Sequence, residues 1–94
     1  MVSIGEELRA ANAAKAAMDR LMTITPKSAV AATIRTANHA AIVNLGSGGA
    51  LNEARIDVGI ALANLMDRPP TPERMDKAKA AIDAWINELE AAKV

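Results

Sequence analysis

Few residues in this 94-residue chain could do chemistry, and His39 is the first to consider because it is the only histidine. An imidazole that titrates near neutral pH could act as a general base. However, the chain contains no cysteine, and no serine occupies a nucleophile elbow. On a helical wheel His39 falls close to Arg35 and Thr36. We therefore expect it at a surface or an interface, and we expect no catalytic residue and no enzymatic activity.

Glu53 and Asp57 are a second candidate, because residues four positions apart share one face of a helix. Two carboxylates could bind a hard cation. Di-metal helical bundles use Glu-x-x-His motifs in addition, and this sequence has none. The pair therefore indicates a solvated acidic face, and we expect neither a metal nor a cofactor.

The segment NLGSGGALNEA, residues 44–54, raises the question of a phosphate-binding loop. A P-loop needs a preceding strand and a Gly-Lys-Ser/Thr ending, and the dinucleotide fingerprint needs a third glycine where this chain has Leu51. The favoured interpretation is a joint between two helices. Gly46 would end one helix in the left-handed conformation, and Ser47 or Gly49 would cap the next. The alternative is an anion site, in which amides at the helix start hold a partner's carboxylate.

Composition narrows the class of protein. Eleven basic residues balance eleven acidic ones, so no overall field attracts the chain to nucleic acid or an anionic membrane. The start of the chain lacks the pattern of a secretory signal, and no run approaches the roughly 20 apolar residues of a spanning helix. We expect a complete, cytoplasmic protein with one helical domain over residues 1–94.

An all-α fold is predicted from the residue types. Alanine, the best helix former, supplies 22 of the 94 residues, while Phe and Tyr are absent. Four helices can be placed, and they would form either a compact four-helix bundle or a pair of antiparallel helical hairpins. Trp85, the only aromatic residue, is predicted to lie in the core.

The helix ends are predicted from capping residues and prolines. The first helix spans residues 4–22 after a capping box of Ser3 and Glu6. The second spans 26–45, and Thr25 caps it. The third spans 50–66. The break at Pro69 and Pro70 and a second Thr-Pro start place the fourth at 72–92.

Each helix carries an apolar stripe with helical spacing. The predicted core positions are, helix by helix, Ile4, Leu8, Ala11, Ala14, Met18, Leu21 and Met22; Val30, Ile34, Ala37, Ala41 and Leu45; Leu51, Val58, Leu62 and Leu65; and Met75, Ala78, Ile82, Trp85, Ile86 and Leu89.

The two middle helices are also apolar opposite these stripes, which indicates burial on two sides. Ala32, Ile42 and Val43 lie there on the second helix, and Ile56, Ile60 and Ala63 on the third. Either the two helices are central in an intramolecular sandwich, or a second protein covers these faces. Gly59 and Ala63 would allow another helix to approach closely. We favour the intermolecular interface, and its candidate partner-binding residues are Arg35, His39, Ile42, Val43, Ile56 and Ile60.

Lys15 and Arg55 lie in or beside apolar stripes. We expect their stems to pack while their charges reach water, or to pair across helices with, for instance, Asp19 or Asp57.

The expected function is therefore that of a small protein that binds another protein or itself, with a homodimer favoured, and acts by occlusion or scaffolding. A neutral helical chain of this size is typical of phage or mobile-element accessory proteins, which include inhibitors of host defence complexes. The alternative is a DNA-binding transcriptional regulator. It would need the scattered basic residues to converge on one face: Arg9, Lys15, Arg20, Lys27 and Arg35.

Overall fold

The computed structural model describes residues 2–20, 29–46, 49–67 and 71–93. They form four α-helices and, within those ranges, no strand: α1 (Ile4–Arg20), α2 (Ala29–Val43), α3 (Ala50–Asp67) and α4 (Pro72–Lys93). The all-α prediction is confirmed.

Each helix packs against two neighbours, so that α1 contacts α2 and α4 while α3 contacts α2 and α4. Within the described ranges the backbones of the diagonal pairs stay apart, although the side chains of Arg55 on α3 and Glu7 on α1 meet across the bundle. Neighbouring helices run antiparallel. The start of α1 meets the end of α2, since the Val2 N–H donates to Asn44 Oδ1 over 3.1 Å. Of the two predicted arrangements, the four-helix bundle is the one observed.

The starts of three helices follow the capping signals. The Glu6 N–H donates to Ser3 Oγ at the start of α1, and the Arg74 N–H donates to Thr71 Oγ1 at the start of α4. Gly49 caps α3, because its carbonyl accepts the Glu53 N–H over 3.1 Å. A serine or threonine cap satisfies an amide that would otherwise lack a partner in the first turn, which fixes where the helix begins.

The predicted end of α2 was wrong in two respects. The helix stops at Val43, two residues before Leu45, and Gly46 does not adopt the left-handed conformation; among the described residues, the glycine with positive φ is Gly49, at 94°. Side-chain contacts at Asn44 explain the early stop, as the next subsection shows. The Gly46 N–H donates to Asn52 Oδ1 over 2.8 Å, so a side chain from α3 holds the exit of α2.

The core consists of the predicted stripes with few exceptions. Ile4, Leu51 and Ile86 are partly buried against it, and Ala54 joins it unpredicted. Leu45 was predicted to be buried but is 44% exposed, because the chain has already left the helix at that point. The predicted positions that are buried are Leu8, Ala11, Ala14, Met18, Ile34, Ala37, Ala41, Val58, Leu62, Leu65, Met75, Ala78, Ile82, Trp85 and Leu89.

Some predictions fall outside what the structure describes. They are the core positions Leu21 and Met22, the side chain of Val30, the Thr25-Pro26 helix start, the Ser47 cap, and the Pro69-Pro70 break.

Candidate protein-interaction face

The residues that could do chemistry are exposed and dispersed. His39, Glu53 and Asp57 are all exposed. Within the described ranges, no three His, Cys, Asp or Glu side chains are grouped closely enough to hold a metal ion. The exposure of Glu53 and Asp57 confirms the prediction of a solvated acidic face.

The most unusual interior group is Glu7, which is fully buried in α1. Its Oε1 accepts hydrogen bonds from Asn44 Nδ2 and from Arg55 Nη2, each over 2.7 Å. Its Oε2 accepts from Arg55 Nε over 2.8 Å and from Trp85 Nε1 over 2.7 Å. The carboxylate thus receives four hydrogen bonds, two of them from one guanidinium in a bidentate arrangement.

These four residues, which we call the polar cluster, come from the four helices of the bundle: Glu7 from α1, Asn44 from the end of α2, Arg55 from α3 and Trp85 from α4. Arg55 is 10% exposed and also donates from Nη1 to the Asn44 carbonyl over 2.8 Å. That bond satisfies a carbonyl that the last turn of α2 leaves open. The cluster therefore determines where α2 ends and how α2 and α3 are joined to the other two helices.

Burial raises the pKa of Glu7, but the hydrogen bonds from Arg55, Asn44 and Trp85 and the charge of Arg55 outweigh it. The pKa of Glu7 is therefore held below its ordinary value. The carboxylate is ionised at neutral pH, and the four hydrogen bonds that it accepts all come from side chains of this chain, which is the arrangement of a structural ion pair.

Sequence reasoning missed the cluster, although a signal for it was present. Glu7 is three residues after Ile4 and four before Ala11, which puts it inside the apolar stripe of α1. An acidic residue there needs a buried cationic partner. Arg55 was recognised at the border of the α3 stripe, but the suggested partners, Asp19 and Asp57, were wrong.

Lys15 does pair across helices, but with a different partner from those suggested. Its Nζ lies 2.8 Å from Asp83 Oδ1 on α4, and both side chains are about half exposed. The hydrogen bond that Lys15 donates to Asp83 and the negative charge of Asp83 raise the pKa of Lys15. Asp19, one of the suggested partners, lies 3.9 Å from Lys79 Nζ instead. These two bridges connect α1 to α4 on the opposite side of the bundle from the α2–α3 surface.

Five of the six predicted partner-binding residues are exposed, and Val43 is half-buried. We call them the outer face: Arg35, His39, Ile42 and Val43 on α2, and Ile56 and Ile60 on α3. Ile42 is 54% exposed, Ile56 is 43% exposed and Ile60 is 58% exposed. Together with Leu45 they are the exposed large hydrophobic residues of the described chain. The intramolecular sandwich is therefore wrong for this chain, since α2 and α3 leave their second apolar sides uncovered.

The register of α2 against α3 places these residues on one surface. Asn38 Oδ1 of α2 lies beside Gly59 of α3, at 3.5 Å from the position that a Cβ atom on Gly59 would occupy. Further along the contact between α2 and α3, Asn52 Oδ1 accepts a hydrogen bond from the Gly46 N–H. Gly59 thus lies beside α2 of the same chain, where a methyl group would make ordinary van der Waals contact with Asn38. Asn38 Oδ1 is buried, and it is the buried side-chain polar atom of the described residues that has no hydrogen-bond partner.

A groove borders this surface on the α4 side. It has a volume of about 1010 Å³ and lies between α3 and the first turns of α4. Ile60, Ala61 and Pro72 supply apolar lining, while Asp57 and Lys77 bring opposite charges. Ile60 belongs to both the groove and the outer face, so the two surfaces are continuous.

Comparison with known proteins adds no relative. No protein-family model matches the chain, and no curated sequence or solved structure is detectably similar to it. Across the described ranges, no helix combines the length and apolar character that crossing a membrane requires.

Proposed function

We propose that this protein works without catalysis, by binding another protein or a second copy of itself through the outer face, and that it acts by occluding or scaffolding its partner. The observation that carries the proposal is the segregation of exposed apolar residues. Ile42, Ile56 and Ile60 are all on α2 and α3 and all more than two-fifths exposed. Grouped apolar side chains rimmed by polar ones are typical of protein-interaction surfaces.

The composition of the outer face fits specific docking. The isoleucines would provide the burial, and Arg35 and His39 the hydrogen bonds and charge that select a partner. Arginine is enriched at such interfaces and often contributes disproportionately to affinity. Inhibition of a host defence complex by a phage or mobile-element accessory protein is one role that such a surface would serve. The protein would act alone or as a homodimer.

The alternative of a DNA-binding regulator draws less support from the charges. Arg55 forms a salt bridge with Glu7, Lys15 with Asp83, and Lys79 with Asp19. A carboxylate within 4 Å of each of these cations offsets part of its attraction for a phosphate. DNA binding would show itself as retardation of a duplex that weakens steeply with salt.

Affinity capture with the immobilised full chain tests the proposal. We expect one protein from cells of the source organism to be retained by the wild type and lost with I42D or I60D. The matched control is A80D, which places the same charge on exposed Ala80 of α4. Occlusion further predicts that inhibition of the captured protein titrates to a stoichiometric end point. Equal retention by all four chains would contradict the proposal.

A further inference from the structure

We infer that the occupant of the outer face is a second copy of this chain, related to the first by a two-fold axis that lies in the plane of the face. The inference rests on the proposed function, because it takes the outer face to be a protein-docking surface. It goes further by naming the partner and the way in which the two faces meet.

The arrangement of charges across the face is self-complementary. Arg35 is three residues before Asn38, and Glu53 is six residues before Gly59, the position that Asn38 meets. Because α2 and α3 are antiparallel, these offsets run in opposite directions. At 1.5 Å per residue, Arg35 and Glu53 are separated by about 14 Å along the helices. They therefore lie at diagonally opposite corners of the α2–α3 surface, one on each helix.

The apolar residues occupy the other diagonal. Ile42 is one turn beyond Asn38, toward the end of the face that carries Glu53. Ile60 is next to Gly59, toward the end that carries Arg35, and Ile56 lies between these extremes on α3. A two-fold axis along this diagonal places the apolar side chains of one copy against the apolar side chains of the other. It also brings Arg35 of each copy to Glu53 of the other, as an isologous interface requires.

The size and charge of the molecule are compatible with such a dimer. The bundle measures 34 × 20 × 19 Å, so one long side has an area of the order of the ~800 Å² that each partner buries in a standard interface. The chain carries no net charge, so two copies do not repel each other. A strongly acidic or basic partner would find no matching excess of charge here.

Charge reversal tests the pairing with variants of the full chain. We expect R35E and E53R each to weaken self-association about tenfold, because both create two like-charge contacts per dimer. An equimolar mixture of the two should recover the wild-type dissociation constant, since every contact in the mixed dimer is again between opposite charges. R9E reverses a charge on exposed Arg9 of α1 and serves as the control. Sedimentation velocity, with one variant fluorescently labelled in the mixture, would measure the dissociation constants of the variants, of their mixture and of the control.

The failures of the two proposals can be told apart. A wild type that stays monomeric up to about 1 mM would overturn the dimer, whatever else the face binds. If that monomer captured a different protein in a manner that I60D abolishes, the docking face would stand and only its occupant would change. If it captured nothing, both proposals would fall. A dimer unaffected by R35E and E53R would overturn the two-fold arrangement.

Discussion

The polar cluster and the outer face reverse the usual distribution of residue types. Inside the bundle, Glu7 and Arg55 place opposite charges where apolar residues would normally pack, and every oxygen of the carboxylate is satisfied. Outside, Ile42, Ile56 and Ile60 place apolar side chains in water. The Glu7 carboxylate finds all its hydrogen-bond donors within one chain, whereas the isoleucines have no apolar cover within it. The difference supports a role for the cluster in folding and is the basis of our proposal that the outer face binds a protein.

The two regions are linked through α2 and α3. The cluster holds the end of α2 through the side chain and carbonyl of Asn44, and it holds α3 through Arg55. The outer face is built from the same two helices. A buried, fully satisfied polar network admits fewer alternative packings than an alanine-rich apolar core. The cluster therefore fixes the relative register of the helices that present the isoleucines.

The largest effect is expected from R55A, which leaves the carboxylate of Glu7 buried without its countercharge. Removal of one partner of a buried ion pair costs about 3–5 kcal/mol of unfolding free energy. Urea unfolding followed by circular dichroism would measure it. R9A removes an exposed arginine and should change stability by less than about 0.5 kcal/mol. A loss below about 1 kcal/mol for R55A would contradict the role given to the cluster.

W85F should be the next most damaging. It keeps an aromatic ring in the core but removes the indole N–H that donates to Glu7 Oε2. A hydrogen bond to a charged group contributes about 1.5–3 kcal/mol, and the smaller ring loses packing contacts as well. Comparison with I82V, which removes volume from a fully buried side chain of the same stripe without removing a hydrogen bond, separates the hydrogen bond from the loss of packing. Equal losses in the two variants would mean that the hydrogen bond contributes little.

Acid should weaken the bundle through Glu7. The folded-state pKa of this carboxyl is lowered, so its stabilising contribution is fully present above the ordinary value of 4.5. It is lost as the pH falls from there through the folded-state pKa, because the unfolded chain then binds the proton first. Thermal unfolding between pH 7 and pH 2 would measure the loss. E7Q should be less stable at pH 7 and should lack this part of the acid dependence; an unchanged acid profile in E7Q would exclude Glu7 as its source.

Two glycines should respond in opposite directions. Gly59 lies inside α3, and a methyl group there would make ordinary contact with Asn38 at 3.5 Å. G59A should therefore stabilise the bundle by about 0.5–1 kcal/mol through helix propensity. Gly49 has a φ of 94°, which strains any other residue, so G49A should destabilise by about 1 kcal/mol. Chemical unfolding of both variants measures the two changes in unfolding free energy. Destabilisation by G59A would contradict the expectation of opposite signs.

The smallest effect on the stability of the monomer is expected at the outer face itself. I60D alters a side chain that is 58% exposed, so at micromolar concentration it should shift the unfolding free energy by less than about 1 kcal/mol. A80D, at an exposed position of α4, should do the same. A large loss in I60D at low protein concentration would mean that Ile60 supports the fold rather than binding.

Much of the fold was predictable because local chemistry and periodicity agree. Ser3, Thr71 and the stripe of α4 from Met75 to Leu89 behave as their types dictate. The end of α2 was not predictable from Gly46 alone, because a contact 37 residues away in sequence, from Asn44 to Glu7, decides it. The exposed isoleucines were found from their spacing. Their proposed cover is a second molecule, and the spacing of residues within one helix does not encode the contacts between two molecules.

The solution mass of the wild-type chain, measured by light scattering on a sizing column across a range of concentrations, tests the central claim most directly. The claim is that the outer face is covered by another copy of the protein. We predict a shift with rising concentration from 9.8 kDa to twice that mass, and no such shift for I60D. A mass of 9.8 kDa at every concentration for both chains would contradict it.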